Sequence, residues 1–378
     1  MKIIVDENIP YGKEAFGALG EVETAAGRAI DTAMLRDADA LIVRSITKVN
    51  EALLAGTSVR FVGTCTIGED HVDKAYLAAN DIAFTSAPGC NANSVGEYIV
   101  AALLTLAQRY DLRLDTMTLG IVGVGNVGAK VFAKATALGM RCVLNDPPLA
   151  DASKDPIYRP MDEILECDAI TLHTPLTRRG KYPTWHLADK EFIRWLQPGA
   201  VLINSSRGSV VDAFALEEAL RTAHIRAAVL DVWENEPTPN TALLEMTAIA
   251  TPHIAGYSFD GKVNGTRQVY EALCAFLECA PTWTPDALLP PPPVPYLTVD
   301  PRADAPLTGA VSSVYDIMSD DAEMRGILEL PREQHAAYFD GLRKNYPVRR
   351  EFFNTAVRLT RPDAPLSDTL SGIGFSLS

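Results

Sequence analysis

Short apolar runs recur through residues 1–90: KIIVDE, EVETA, ALIVRS, RFVGTCT and DIAFTSA. Segments with helical spacing, near 11–19, 32–36 and 71–79, separate them. Apolar strands alternating with helices predict a parallel sheet covered on both faces. A Pro-Gly-Cys-Asn turn follows at 88–91, and residues 94–109 (SVGEYIVAALLTLAQR) then carry the apolar spacing of a long buried helix that leads into a second domain.

The alternation resumes with a strand at 119–124, a helix to about residue 138 and a second strand ending at Asp146. DAITLHTP, a helix at 189–195, AVLINSS, the helix AFALEEALRTA, RAAVLDV and TAIATPH continue it, so five or six parallel strands are expected in one sheet. A helix over 261–280 is expected to return to the first domain. The Pro290–Pro293 run, stiff and extended, marks a boundary. Beyond it, helical patterns at 312–328 and 332–345 lie between acidic (DIMSDDAE) and basic (VRREF) clusters. The expected fold class is α/β, with two doubly wound parallel-sheet domains of Rossmann or flavodoxin type and a C-terminal α+β segment. The expected boundaries are 1–95 with 257–281, then 96–256, then 282–378.

Between the strand at 119–124 and its helix stands Gly123-Val-Gly125-Asn126-Val127-Gly128. Gly123 permits a tight turn, Gly125 lets backbone N–H groups of the Asn126-Val127 turn approach a pyrophosphate, and Gly128 lets helix and strand pack closely. The helix N-terminus adds partial positive charge. Asp146, 23 residues after Gly123, sits where a carboxylate can accept bonds from the adenosine ribose hydroxyls. Pro147, Pro148 and Leu149 follow it instead of Arg or Lys, which favours NAD over NADP.

Composition narrows the partners. A net charge of −14 disfavours nucleic acid or an anionic membrane, yet leaves room for a small anionic substrate held by a few cations. The six cysteines show no metal-ligand spacing and read as buried thiols in a reducing cytoplasm; no metal site is expected. Asp6 and Glu7 interrupt the N-terminus, and the longest apolar segment, 98–107, is about half the length that spans a bilayer. Neither export nor membrane insertion is expected.

Ligands of doubly wound sheets sit beyond the carboxyl ends of the strands. There stand Arg207 after VLINSS, Glu236 shortly after RAAVLDV, and His253 after TAIATP. A planar permanent cation can grip a carboxylate, an imidazole can take a hydroxyl proton as hydride leaves the same carbon, and a carboxylate can fix that imidazole's tautomer. Taken singly, each residue is an ordinary turn or surface group. Together they suit hydride transfer from a 2-hydroxy acid. His173 and Thr174, in HTP, are expected to line the cofactor cleft, and Ser206, beside Arg207, is counted with the cofactor-binding positions.

The ordered set GVGNVG, HTPL, NSSRG followed by VVD, DVWENEP and TPHIAGYS resembles the D-2-hydroxyacid dehydrogenase family over about residues 1–280. VRSITKVN, GTCTIGEDHVD, SAPGCNANSVGEY and the extra C-terminal segment resemble a branch that oxidises a small phosphorylated hydroxy acid. The resemblance implies Arg207 and Glu236 as catalytic and His253 as the proton donor or acceptor. It implies Asp146, Thr174, Asp231 and Gly256 on NAD, and Ser45, Thr66, Arg207 and Tyr257 on the substrate. Arg44 and Lys48, flanking Ser45, are phosphate candidates. It further implies a homodimer to which the C-terminal segment contributes. Ser209, where many relatives carry proline, alters loop stiffness only. Two alternatives stay open: another D-2-hydroxy acid such as 3-phosphoglycerate, and a non-catalytic NAD(H)-sensing protein that keeps the trio.

Overall fold

The structure, a computed structural model, describes residues 1–378. Two compact units form, one from Met1–Asn91 with Ser258–Pro291 and the other from Ala92–Tyr257 with Pro292–Ser378. The segment after the proline run therefore shares its packing with residues 92–257.

The first unit is built on β1 (Lys2–Asp6), β2 (Glu21–Ala25), β3 (Ala40–Val43), β4 (Phe61–Thr64) and β5 (Ala83–Thr85). They pair in parallel in the order β2-β1-β3-β4-β5, a flavodoxin-like order. β3 and β4 are buried along their whole length, which explains why they read as unbroken apolar runs. The helix Phe259–Phe276, capped by the Ser258 hydroxyl on Gly261 N–H, packs on β4. It approaches so closely that a Cβ on Gly63 would lie 2.3 Å from Val269.

The second unit carries β6 (Thr118–Val122), β7 (Arg141–Asn145), β8 (Ala169–Leu172), β9 (Ala200–Asn204), β10 (Ile225–Leu230) and β11 (Ile249–Ala250). All pair in parallel, in the order β11-β10-β9-β8-β6-β7. The strand order reverses between β6 and β8, which is where such folds open a crevice. The helix Ala92–Tyr110 is buried over most of its length and packs on the helix Asn126–Ala137.

The C-terminal segment adds a small parallel sheet of β12 (Tyr296–Val299), β13 (Ala356–Leu359) and β14 (Ser376–Leu377). One helix was expected over 312–328; two form, Pro306–Val314 and Ile317–Arg325. Tyr315 is extended between them, its hydroxyl bonded to Asp320, and Asp316 caps the second helix through Met318 N–H. Val299, Val311, Tyr315, Phe352, Leu370 and Ile373 join Tyr98, Leu103, Val131 and Ile254 in one core. Polar bonds brace β11 from the same side. Ala250 N–H donates to Asp321 at 2.7 Å, and Arg325 donates to the carbonyls of Leu244 and Thr247.

Not every cysteine is buried. Cys279 is exposed, past the end of the helix Phe259–Phe276, and Cys142 is half-buried on β7, the edge strand of its sheet.

Candidate active site

The turn after β6 is shaped by three different close approaches. Gly123 has φ +87, and a Cβ there would meet the His173 carbonyl at 2.7 Å. A Cβ on Gly128 would lie 2.0 Å from the Gly123 carbonyl oxygen, so only glycine lets the helix start against the turn. Gly125 differs: a Cβ there would meet no protein atom within 4 Å. The space beside it is a cradle that the chain leaves open, and the N-terminus of the helix Asn126–Ala137, with Asn126 exposed and Val127 half-buried, borders it.

Asp146 closes this turn from the second strand. Its carboxylate accepts from Val124 N–H at 2.8 Å and from Leu149 N–H at 3.0 Å. Each oxygen retains a lone pair, so the carboxylate can still accept from a ribose hydroxyl.

On the far side of the switch point stand His173 and Thr174, just past β8. The His173 ring nitrogens face Thr171 at 2.9 Å and Ser205 at 3.4 Å. Burial pushes its imidazole down to about 3, so it stays neutral. The Thr174 hydroxyl is buried with no hydrogen-bond partner in the chain. An orphaned hydroxyl beside a turn whose glycine leaves room for a ligand fits a bound dinucleotide.

At the end of β9, Asn204 organises the next loop. Its side chain accepts from Ser206 N–H and hydroxyl at 3.0 and 2.8 Å and donates to the Arg207 carbonyl at 2.9 Å. Ser206 is buried in this turn, and Arg207 is half-buried, with one guanidinium nitrogen on the Ser206 carbonyl. A Cβ on Gly208 would lie 2.0 Å from the Trp233 carbonyl, so the Arg207 loop is pressed against the segment following β10.

That segment carries Glu236. One carboxylate oxygen accepts from Trp233 N–H and the other lies 2.8 Å from His253 Nδ1. Burial pushes the Glu236 carboxyl up, but His253, the Trp233 N–H and the nearby Arg343 guanidinium together hold it below the usual glutamate range. The remaining His253 nitrogen, Nε2, is the one left to exchange a proton with a substrate.

Asp231, at the end of β10, fixes the loop that bears His253. Its carboxylate accepts from the Thr251 hydroxyl and from Ile254 and Ala255 N–H, and its carbonyl accepts from His253 N–H at 2.7 Å. Under these bonds His253 adopts φ 59, a left-handed conformation that costs a non-glycine residue free energy. Arg349 donates to the Ala255 carbonyl at 2.7 Å, next to Gly256 and Tyr257.

In the first unit, Ser45 is exposed just after β3 and Thr66 follows β4. The Thr66 hydroxyl contacts Thr64 at 2.8 Å and the Gly68 carbonyl at 3.2 Å. Arg44 pairs with the buried Asp6 at 3.2 Å, and Lys48 is exposed. Sequence reading missed the bracing by Asp321, Arg325 and Arg349 and the position of Arg343. The only trace was a basic cluster near 349 that had no assigned chemistry.

Residues 102–255 match the D-isomer specific 2-hydroxyacid dehydrogenase NAD-binding domain, and residues 288–374 match a domain family of unknown function. The chain is 48% identical over its full length to erythronate-4-phosphate dehydrogenase of Enterobacter sp. (strain 638), covering 98% of that protein. It is 49% identical to the Citrobacter koseri enzyme of the same name, again over the full chain and 98% of the relative. Among solved structures it is similar to D-lactate dehydrogenase from Aquifex aeolicus complexed with NAD and lactic acid, at 26% identity and TM-score 0.63 over 74% of this chain and 96% of that one. It is also similar to NAD⁺-bound 3-phosphoglycerate dehydrogenase of Entamoeba histolytica, at 26% identity and TM-score 0.64 over 74% and 95%.

Proposed function

Because the chain belongs to the erythronate-4-phosphate dehydrogenase family of D-isomer specific 2-hydroxyacid dehydrogenases, we propose that it oxidises 4-phospho-D-erythronate to 2-oxo-3-hydroxy-4-phosphobutanoate with NAD. This is a step of pyridoxal phosphate (vitamin B6) biosynthesis. The observation that carries the reading is the Glu236–His253 pair beside a glycine turn whose open side fits a dinucleotide.

Bound NAD would supply the hydride acceptor for C2 of the substrate. The chain's own groups do the rest. His253 Nε2 takes the C2 hydroxyl proton while Glu236, on Nδ1, keeps the ring in the tautomer that can accept it and stabilises the cation that forms. Arg207 grips the carboxylate and polarises the oxygen that becomes a carbonyl. Asp146, with the N–H groups of Asn126 and Val127, would hold the adenosine and pyrophosphate end of NAD, and Thr174, Ser206, Asp231 and Gly256 would hold the nicotinamide end. Tyr257, Ser45 and Thr66 contact the substrate.

Steady-state NADH formation tests the substrate. The expected result is a kcat/KM for 4-phospho-D-erythronate at least about tenfold above that for 3-phosphoglycerate, corresponding to about 1.4 kcal/mol of discrimination. Equal or reversed preference would overturn the choice.

We also infer a homodimer formed with the help of the C-terminal segment. Tyr296, on an edge strand of the small sheet, is 78% exposed, and Phe353 and Leu377 of the same segment are also exposed. Light scattering checks this; a mass of one chain contradicts it. No helix is long and apolar enough to cross a membrane, and we assign the protein to the cytoplasm.

A further inference from the structure

Arg343 is the next-to-last residue of the helix Arg332–Lys344, in the segment matched by the domain family of unknown function. Its guanidinium carbon lies 5.6 Å from the centre of the Tyr257 ring, which meets the Tyr346 ring edge-on at 5.9 Å. Its charge reaches Glu236, the partner of His253. Yet its Nε is buried with no hydrogen-bond acceptor. A buried donor left unmade costs about 1–3 kcal/mol, and more for a charged group, so an unsatisfied guanidinium nitrogen beside Tyr257 calls for an acceptor that the chain itself does not supply.

Two other arginines of this segment are tied to the chain. Arg349, although its Nε and Nη1 are also buried without partners, donates through Nη2 to the Ser94 and Ala255 carbonyls and lies over the Tyr315 ring at 4.3 Å, and half-buried Arg325 is paired with Asp321 at 2.8 Å. Both hold the fold together. Arg343 lies against the Tyr257 ring with its Nε as a donor to spare.

We propose that Arg343 binds the phosphate of the substrate, and so makes the C-terminal segment part of the specificity machinery. This deepens, and rests on, the reading of the protein as a dehydrogenase of a phosphorylated hydroxy acid. Such a substrate has two anionic ends. Arg207 serves the carboxylate next to the reacting carbon, and the planar fork of Arg343 matches phosphate oxygens at the other end.

The test uses Arg343→Gln and Arg343→Lys in the full-length enzyme with NAD, on 4-phospho-D-erythronate and on D-erythronate, which lacks the phosphate. Arg343→Gln is expected to lower kcat/KM for the phosphorylated acid about 10- to 100-fold, mainly through KM, with a loss at least about tenfold smaller on the unphosphorylated acid and NADH affinity unchanged. Arg343→Lys should retain part of the preference. Equal losses on both acids would assign Arg343 a bracing role on Tyr257 and overturn the proposal, as would no loss. Should Arg343→Gln fail to fold, the Lys variant must still show a selective loss. If the wild type does not oxidise 4-phospho-D-erythronate, the reading of function fails separately. Arg343 is then judged by calorimetric binding of inorganic phosphate to the NADH complex: weakening by Arg343→Gln upholds it, and undiminished binding overturns it.

Discussion

His253 Nδ1 lies 2.8 Å from Glu236 Oε2 although 17 residues and two strand ends separate them in the chain. The pair exists because β10 and β11 are neighbours and because Asp231 holds the His253 loop in a left-handed turn. Nδ1 is thereby committed to the carboxylate, which leaves Nε2 as the other ring nitrogen.

Replacing Glu236 by Gln should lower kcat about 100-fold or more with little change in NADH affinity, since the ring loses its anionic partner but not its position. The Glu236 carboxyl lies below its ordinary value of 4.5, so the stability that its pairing supplies is present above that value and is lost as pH falls through the lowered one. It is therefore ionised across neutral pH. Steady-state rates with parallel NADH titrations check this, and a wild-type rate in Glu236→Gln contradicts the pairing's role.

Two glycines of the same turn should answer differently to the same change. Gly125→Ala is expected to keep the melting temperature, because its Cβ meets no protein atom, while weakening NADH binding about tenfold or more. Gly128→Ala should destabilise the fold by about 1–3 kcal/mol, because its Cβ would strike the Gly123 carbonyl. Thermal melts and NADH titrations separate the two.

Asp231→Asn should cost about 2–3 kcal/mol of stability and slow turnover. An amide cannot accept three bonds without turning an N–H against the Ile254 or Ala255 N–H groups. Chemical denaturation with parallel rate measurements checks both effects.

Glu97 lies buried among Glu351, Lys134, Asn93 and Arg349, accepting from Asn93 and from Phe352 N–H. Burial, reinforced by the charge of Glu351, pushes its carboxyl from 4.5 up to about 8. A raised acid binds its proton more tightly in the folded chain, so its contribution is fully present below 4.5 and declines as pH rises towards 8. Melting temperature should fall over that window in the wild type and fall less in Glu97→Gln, which keeps the acceptor but cannot ionise. Identical slopes would contradict this.

The parallel α/β architecture was legible because strands buried on both faces, such as β8 and β9, leave unbroken apolar runs. The glycine turn was legible because close approach restricts the residue type. Strand-end positions 207, 236 and 253 could be picked out because topology dictates where ligands bind, but their mutual geometry was not, since it depends on Asp231, Asn204 and the Trp233 backbone. The break at Tyr315 escaped because helical spacing of apolar residues continues across it. Arg343 escaped for another reason: a lone arginine at a helix C-terminus is what any solvated helix carries, and only packing shows it turned inward.

In the proposed reaction His253, poised by Glu236, moves the proton as hydride leaves the same carbon. The most direct test is a paired measurement on His253→Gln: the rate of NADH formation from 4-phospho-D-erythronate, and the dissociation constant of NADH. Proton transfer by this residue predicts a rate loss of about 10²- to 10⁴-fold at an unchanged dissociation constant. A variant that binds NADH normally and turns over at the wild-type rate would contradict it.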